Sequence, residues 1–326
     1  MIRTRPVGLW DAAPLALCAI IACAPDLTTK ASDVVAPRVI GVRADPAEAR
    51  PGQTVKWTAI VVSPQGFVEE ADVRWGMCLA PRGPTDSITV AATCLGRGPK
   101  TDADGNPLFV KLENTGVNLS GTVPSDVCKK LGPQLPPVNK DGEPQRAPDP
   151  DITGGYQMPL RLVLDYGSDV PDVTFYRQRI KCDLANAPAQ VARDYAAKYV
   201  LNKHPSIETL QIDGTDLPAD GAEADVPAGK TYTLKVRWPT DSREEYVRVN
   251  PETRSLETRT ESIDVTWFTD GGSFAHDRTT PASAKGRSAT NALTLEASRK
   301  DPVHVWILVH DERGGLAVST LTLNPT

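Results

Sequence analysis

Two stretches of the chain repeat one pattern, and this restricts the fold more than any other feature. The first, PRVIGVRADPAEARPGQTVKWTAIVV at 37–62, and the second, PSIETLQIDGTDLPADGAEADVPAGKTYTLKVRW at 205–238, each hold a short strand, a polar loop with a proline and glycine turn, and a longer strand. Val55, Trp57, Ala59 and Val61 alternate in the first long strand, and Tyr232, Leu234 and Val236 in the second. Period two puts such residues on one buried face, because successive side chains of a strand point to opposite sides. A third strand follows in each copy, ADVRWGMCL and SIDVTWFTDGG, with Trp75 and Trp267 at matching positions.

Each copy also closes with strands, MPLRLVLDYG and VTFYRQRIKC in the first and VHVWILVHDERGGLAVSTLTLN in the second. Several short strands separated by turn signals predict an all-β chain of two tandem sandwiches. The 29 prolines and 24 glycines among 326 residues fit such a turn-rich chain. In the last hairpin Val303, Val305, Ile307 and Val309 share one face, expected to be core, while His304, Trp306, Leu308 and His310 alternate outward. The expected boundaries are a signal over 1–22, a tether over 23–36, a first sandwich over 37–184 with a loop insert at about 81–155, a helical linker over 185–203, and a second sandwich over 204–326. Within the linker, Val191, Tyr195 and Tyr199 are four apart, the spacing of an amphipathic helix.

At the N-terminus an apolar run from Ala12 to Ala24, broken by Pro14, lies between Asp11 and Asp26. It is shorter than the roughly 20 residues of a membrane-spanning helix. It suits the apolar core of an export signal, roughly 7 to 15 residues after a basic start, here with Arg3 and Arg5. The sequence Ile20-Ile21-Ala22-Cys23 resembles the lipobox of bacterial lipoproteins, whereas Cys18 follows the bulkier Leu17. The resemblance implies that Cys23 is acylated as the first mature residue and holds the protein on a membrane by several acyl chains. Ala24, rather than aspartate, after it implies sorting to the outer membrane.

The mature chain keeps Cys78, Cys94, Cys128 and Cys182. With no C-x-x-C pair and no histidine nearby, two disulfides are expected, which also fits export, and three pairings stay open.

The tryptophan strand and the hairpin Val309-His310-Asp311-Glu312-Arg313-Gly314-Gly315 resemble immunoglobulin-like or PKD-like modules of bacterial surface proteins, most of all tandem-module lipoproteins of the myxobacterial type. The likeness covers about 37–80 and 160–326. It implies two immunoglobulin-like β-sandwiches, the first with a long disulfide-stapled loop insert. Cys78 stands three residues after Trp75, so the antibody-type bridge between sheets is not expected.

A net charge of −5 removes the basic field that nucleic-acid binding requires. VPAGKT, ending at Thr231, lacks the first glycine of a phosphate-binding loop and leads into a strand. Asp102, Asp104 and Asn106, with Glu113 further on, have calcium-loop spacing, but Pro107 follows where such a loop needs a turn glycine, and a plain Asp-Gly turn is the stronger reading. His204, His276, His304 and His310 form no metal motif, Gly314-Gly315 reads as a hairpin turn, and no catalytic residue or cofactor is expected. The expected function is a lipid-anchored, non-enzymatic binding or structural module of the cell envelope with a protein or polysaccharide ligand. The alternatives are an accessory or hydrolase domain acting on envelope or prey polymers, with its site in the first insert, and a calcium-stiffened adhesin.

Overall fold

The computed structural model describes residues 30–81, 90–96, 100–102, 104–136, 138, 140–144, 146, 152–167, 171–184 and 187–326. Cys23 and the expected signal lie outside these residues. The first half runs through β1 (Arg38–Asp45), β2 (Glu48–Ala49), β3 (Thr54–Ser63), β4 (Gly66–Phe67), β5 (Asp72–Cys78), β6 (Phe109–Thr115), β7 (Asn118–Thr122), the single turn α1 (Val127–Lys130), β8 (Gly155–Asp165) and β9 (Asp172–Lys181). After α2 (Ala189–Lys198) come β10 (Thr209–Ile212), β11 (Thr215–Leu217), β12 (Ala222–Val226), β13 (Thr231–Arg237), β14 (Glu245–Val249) and β15 (Leu256–Thr260). The chain ends through β16 (Ile263–Thr269), β17 (Ser273–Phe274), β18 (Arg278–Thr279), β19 (Ser288–Thr294), β20 (Val303–Asp311) and β21 (Leu316–Pro325).

Each half is an immunoglobulin-like sandwich. In the first, β3 joins β1, β4 and β7 in one sheet, and the other runs β2-β9-β8-β5-β6. In the second, the sheets run β11-β10-β13-β19-β17 and β12-β21-β20-β16-β18. Both halves share one signature: the opening strand pairs antiparallel in one sheet, then a short strand crosses over and runs parallel to the last strand of the other. The alternating residues make the cores as their period requires. Val55, Trp57 and Trp75 are buried in one, and Leu234, Val236 and Trp267 in the other.

Within the stretch expected as an insert, β6 and β7 are strands of the two sheets, so the insert is split in two around them. One disulfide ties each part to the sandwich. Cys78–Cys94 ties the end of β5 to a short 3-10 turn, and Cys128–Cys182 ties α1 to the residue after β9. The helix expected from Val191, Tyr195 and Tyr199 forms as α2, with Tyr195 its buried residue and Tyr199 at its C-terminal cap.

The outward face of the last hairpin departs from expectation, because Trp306 is only 1% exposed and Leu308 is sealed. They pack with Ile60 and Val62 of β3, Leu316, Phe268 and Val34 into a third apolar cluster between the sandwiches. A period of two separates two faces, but it does not tell a solvated face from one that a neighbouring module covers. Within the expected tether, Ser32 and Val34 are buried. The amide of Val34 donates to the carbonyl of Thr269 at 2.8 Å, and the amide of Thr269 to the carbonyl of Ser32 at 2.9 Å, so this segment is seated on the second sandwich.

Candidate binding site at the seam of the two sandwiches

The turn between β20 and β21, expected as a plain hairpin, delivers a charged side chain into the interior. Arg313 is 1% exposed. Its Nε donates to Glu261 Oε1 at 2.5 Å, its Nη2 to Glu244 Oε2 at 2.9 Å, and its Nη1 to the Val200 carbonyl at 2.8 Å and to the Tyr199 hydroxyl at 3.3 Å. The guanidinium stands 4.7 Å from the centre of the Tyr246 ring. Across the seam, Glu48 of β2 accepts from Arg179 Nε at 3.1 Å, from the Tyr199 hydroxyl at 2.8 Å and from the Asn202 amide at 2.9 Å. The Asn202 side chain donates to Asp311, which also accepts the amides of Arg313 and Gly315.

The first sandwich thus supplies Glu48 and Arg179, the junction Tyr199 and Asn202, and the second sandwich Glu244, Glu261, Asp311 and Arg313. Glu244 and Glu261 flank the hairpin β14-β15, so the hairpin is anchored here at its base. Four carboxylates share two guanidiniums, and their ionisation is correspondingly strained. Burial, and then the charge of Asp311, push the Glu261 carboxyl up to about 7. Burial likewise raises Asp311. Burial works against the charge on Arg313, but Glu261 and Tyr199 more than restore it. Glu48 and Glu261 are sealed from solvent, so these carboxylates offer a substrate no access, and the cluster holds the modules together.

His204 adds a second tie. Its Nδ1 accepts the Leu316 amide at 3.0 Å and its Nε2 lies 2.7 Å from the Ala44 carbonyl, an arrangement that suits the neutral ring protonated at Nε2. Burial, followed by the charge of Arg43, lowers its pKa.

Beside this cluster the seam opens into a cleft of about 560 Å³. One wall is Val39 to Val42 of β1, Thr174 to Arg177 of β9, and Gln157; the other is His310, Glu312, Gly314 and Leu316 with Arg278. Four consecutive residues of a strand line a cavity only where it meets the strand edge, because alternate side chains point apart. Arg278 binds Asp264, which holds its pKa up, and its side chain is still 65% exposed. His310 faces Asp264 across the ladder, and burial lowers its pKa. Gln157 Oε1 is buried with no hydrogen-bond partner among the described residues. Module junctions with mixed apolar and polar walls of this size are favoured places for ligands.

The sequence pointed to none of these residues as a site. The residues that it did single out lie elsewhere. Asp102 Oδ1 accepts the amides of Asp104 and Asn106 at 3.0 and 2.8 Å, and Asn106 Nδ2 donates to Asp102 Oδ2 at 2.9 Å, a local turn whose polar groups satisfy one another. These bonds, that of the Asn106 side chain foremost, lower the Asp102 pKa. Among the described residues no group of three or more histidines, cysteines or carboxylates is placed to hold a metal ion. His304 Nδ1 lies 2.6 Å from Asp270, and its ring stacks on Trp306.

No protein-family model matches the chain, and no curated protein matches it. Among solved structures, the D0-D1 domain of intimin aligns at 11% identity over 88% of this chain and 98% of its own, with a TM-score of 0.22. The fibronectin(III)-like modules of Clostridium thermocellum CbhA align at 9% identity over 87% of this chain and 94% of theirs, at 0.24. The Yersinia pseudotuberculosis adhesin InvE aligns at 13% identity over 87% of this chain and 58% of its own, at 0.23. At these scores the immunoglobulin-like assignment rests on the strand order and the parallel crossovers of the chain itself.

Proposed function

We propose that the chain is a lipid-anchored, non-enzymatic protein of the outer membrane whose two sandwiches act together as one binding or structural module for a protein or polysaccharide. The observation that carries this reading is the seam, where a buried charge cluster and an apolar cluster join the sandwiches and leave a ligand-sized cleft beside them. Two disulfides support an oxidising compartment. The basic start, the short apolar run and Cys23 support export and acylation.

Fractionation of cells carrying Cys23→Ala tests the anchor. The substituted protein is expected in the soluble envelope fraction and the parent protein in the membrane pellet. Pelleting of both would remove the anchor from this reading. Protease treatment of intact cells, with a periplasmic protein as the leakage control, reports which side of the outer membrane the sandwiches face.

A further inference from the structure

β9 is covered unevenly. On one side β8 pairs with it from Asp172 to Lys181, but on the other β2 pairs only with Arg179 and Ile180. From Val173 to Gln178 the second edge has no strand partner among the described residues, and Thr174 to Arg177 of this stretch line the cleft. An unpaired edge is a template for another strand. At the two ends the slot is bounded by single bonds, Val39 N–H to Asp172 Oδ2 at 3.4 Å and the Tyr176 hydroxyl to the Gly314 carbonyl at 3.3 Å. The four lining residues correspond to about 13 Å of extended chain at about 3.3 Å per residue.

One exposed charge of the cleft wall stands outside the ion pairs found among the described residues, and it is positive. Asp311 is occupied by two amides and Asn202, and Glu312 by Tyr246, Arg259 and Ser262. Arg177 is exposed and joins none of the ion pairs found among the described residues, whereas Arg278, which also lines the cleft, is paired with Asp264. The aromatic residues are committed elsewhere: Phe175 packs on the Cys78–Cys94 cluster and the Tyr176 hydroxyl bonds Gly314. No open ring is therefore offered as a platform for a sugar, whereas backbone groups and the Arg177 guanidinium are offered to a peptide.

We infer that the free edge of β9 takes up an extended, acidic peptide segment of a protein partner as an added strand, with its carboxylate held by Arg177. This deepens the reading of the chain as a binding module and does not depend on the anchor.

The test uses the full chain in detergent and an array of fluorescent seven-residue peptides alternating valine and threonine, with glutamate, aspartate or lysine at one position. Acidic members are expected to bind about tenfold or more tightly than the lysine members, and Arg177→Glu to reverse that order. N-methylation of one alternate set of peptide amides should abolish binding while methylation of the other set spares it, because only one edge of an added strand is bonded. Hydrogen exchange of Thr174–Arg177 should slow in the complex. Absence of saturable binding across the array by the folded chain, indifference to either methylation, preference for an acidic oligosaccharide such as oligogalacturonate, or self-association that excludes the peptides would each overturn the inference. Membrane association through Cys23 is read separately, so its loss and a failure of peptide binding are distinguishable.

Discussion

Glu48 of the first sandwich and Arg313 of the second stand 3.8 Å apart with the Tyr199 hydroxyl bonded to both. The two charges come from opposite ends of the described chain, and the tyrosine between them belongs to the segment that joins the halves. Removing one member leaves the others buried without compensation. Arg313→Ala is therefore expected to cost about 3–5 kcal/mol. Urea unfolding measures it, and a loss below about 1 kcal/mol, the worth of a surface pair, would mean that the cluster does not bind the halves together.

The same cluster sets a pH dependence. The carboxyl of Glu261 holds its proton up to about 7 in the folded chain against 4.5 ordinarily, so the fold binds more protons between these values. Its contribution to stability is present below 4.5 and is lost as the pH rises through about 7. Glu261→Gln, which can still accept from Arg313, should flatten this part of the profile. His204 acts with the opposite sign: its lowered pKa gives stability that is present above 6.5 and lost as the pH falls. Melting temperatures across the range, compared for the parent chain, Glu261→Gln and His204→Gln, separate the two.

Trp306 is the largest side chain of the apolar cluster at the seam. Trp306→Ala should cost about 3–5 kcal/mol through the cavity that it leaves. It should also widen the distance distribution measured by small-angle scattering as the halves part. A loss of stability with an unchanged distribution would show that the charge cluster alone keeps them docked.

The disulfides close loops of different length, with sequence separations of 16 and 54. Loop-closure entropy assigns them about 3 and about 4 kcal/mol respectively. Paired serine substitutions should therefore lower stability more for Cys128 and Cys182 than for Cys78 and Cys94, as read by urea midpoints. Thiol labelling of the unreduced, denatured parent chain should find none of the four.

Because the Asp102 oxygens are engaged by Asp104 and Asn106, calcium is expected to leave the melting temperature unchanged, as is a chelator. A rise with calcium would restore the stiffened-adhesin reading.

The sandwiches were legible because their signal is local. Alternation around Trp57 and Trp75, and again around Leu234 and Trp267, recurs within a few residues and is enforced by the pleat. The helix α2 was legible for the same reason. The seam was not, since Arg313 meets Glu48, Glu244 and Glu261 from four distant places in the chain, and no spacing among 41 acidic residues marks those three. Only Trp306 and Leu308 hinted at it, as apolar side chains on a strand face that would otherwise have met water.

The segment Ser32–Val34, near the start of the chain, is held by Thr269, which is made more than two hundred residues later. During synthesis, this stretch waits for its binding surface until most of the polypeptide has emerged. Final locking of the molecule is therefore a late event, and any chaperone that guards the early segment must release it only after β16 has arrived.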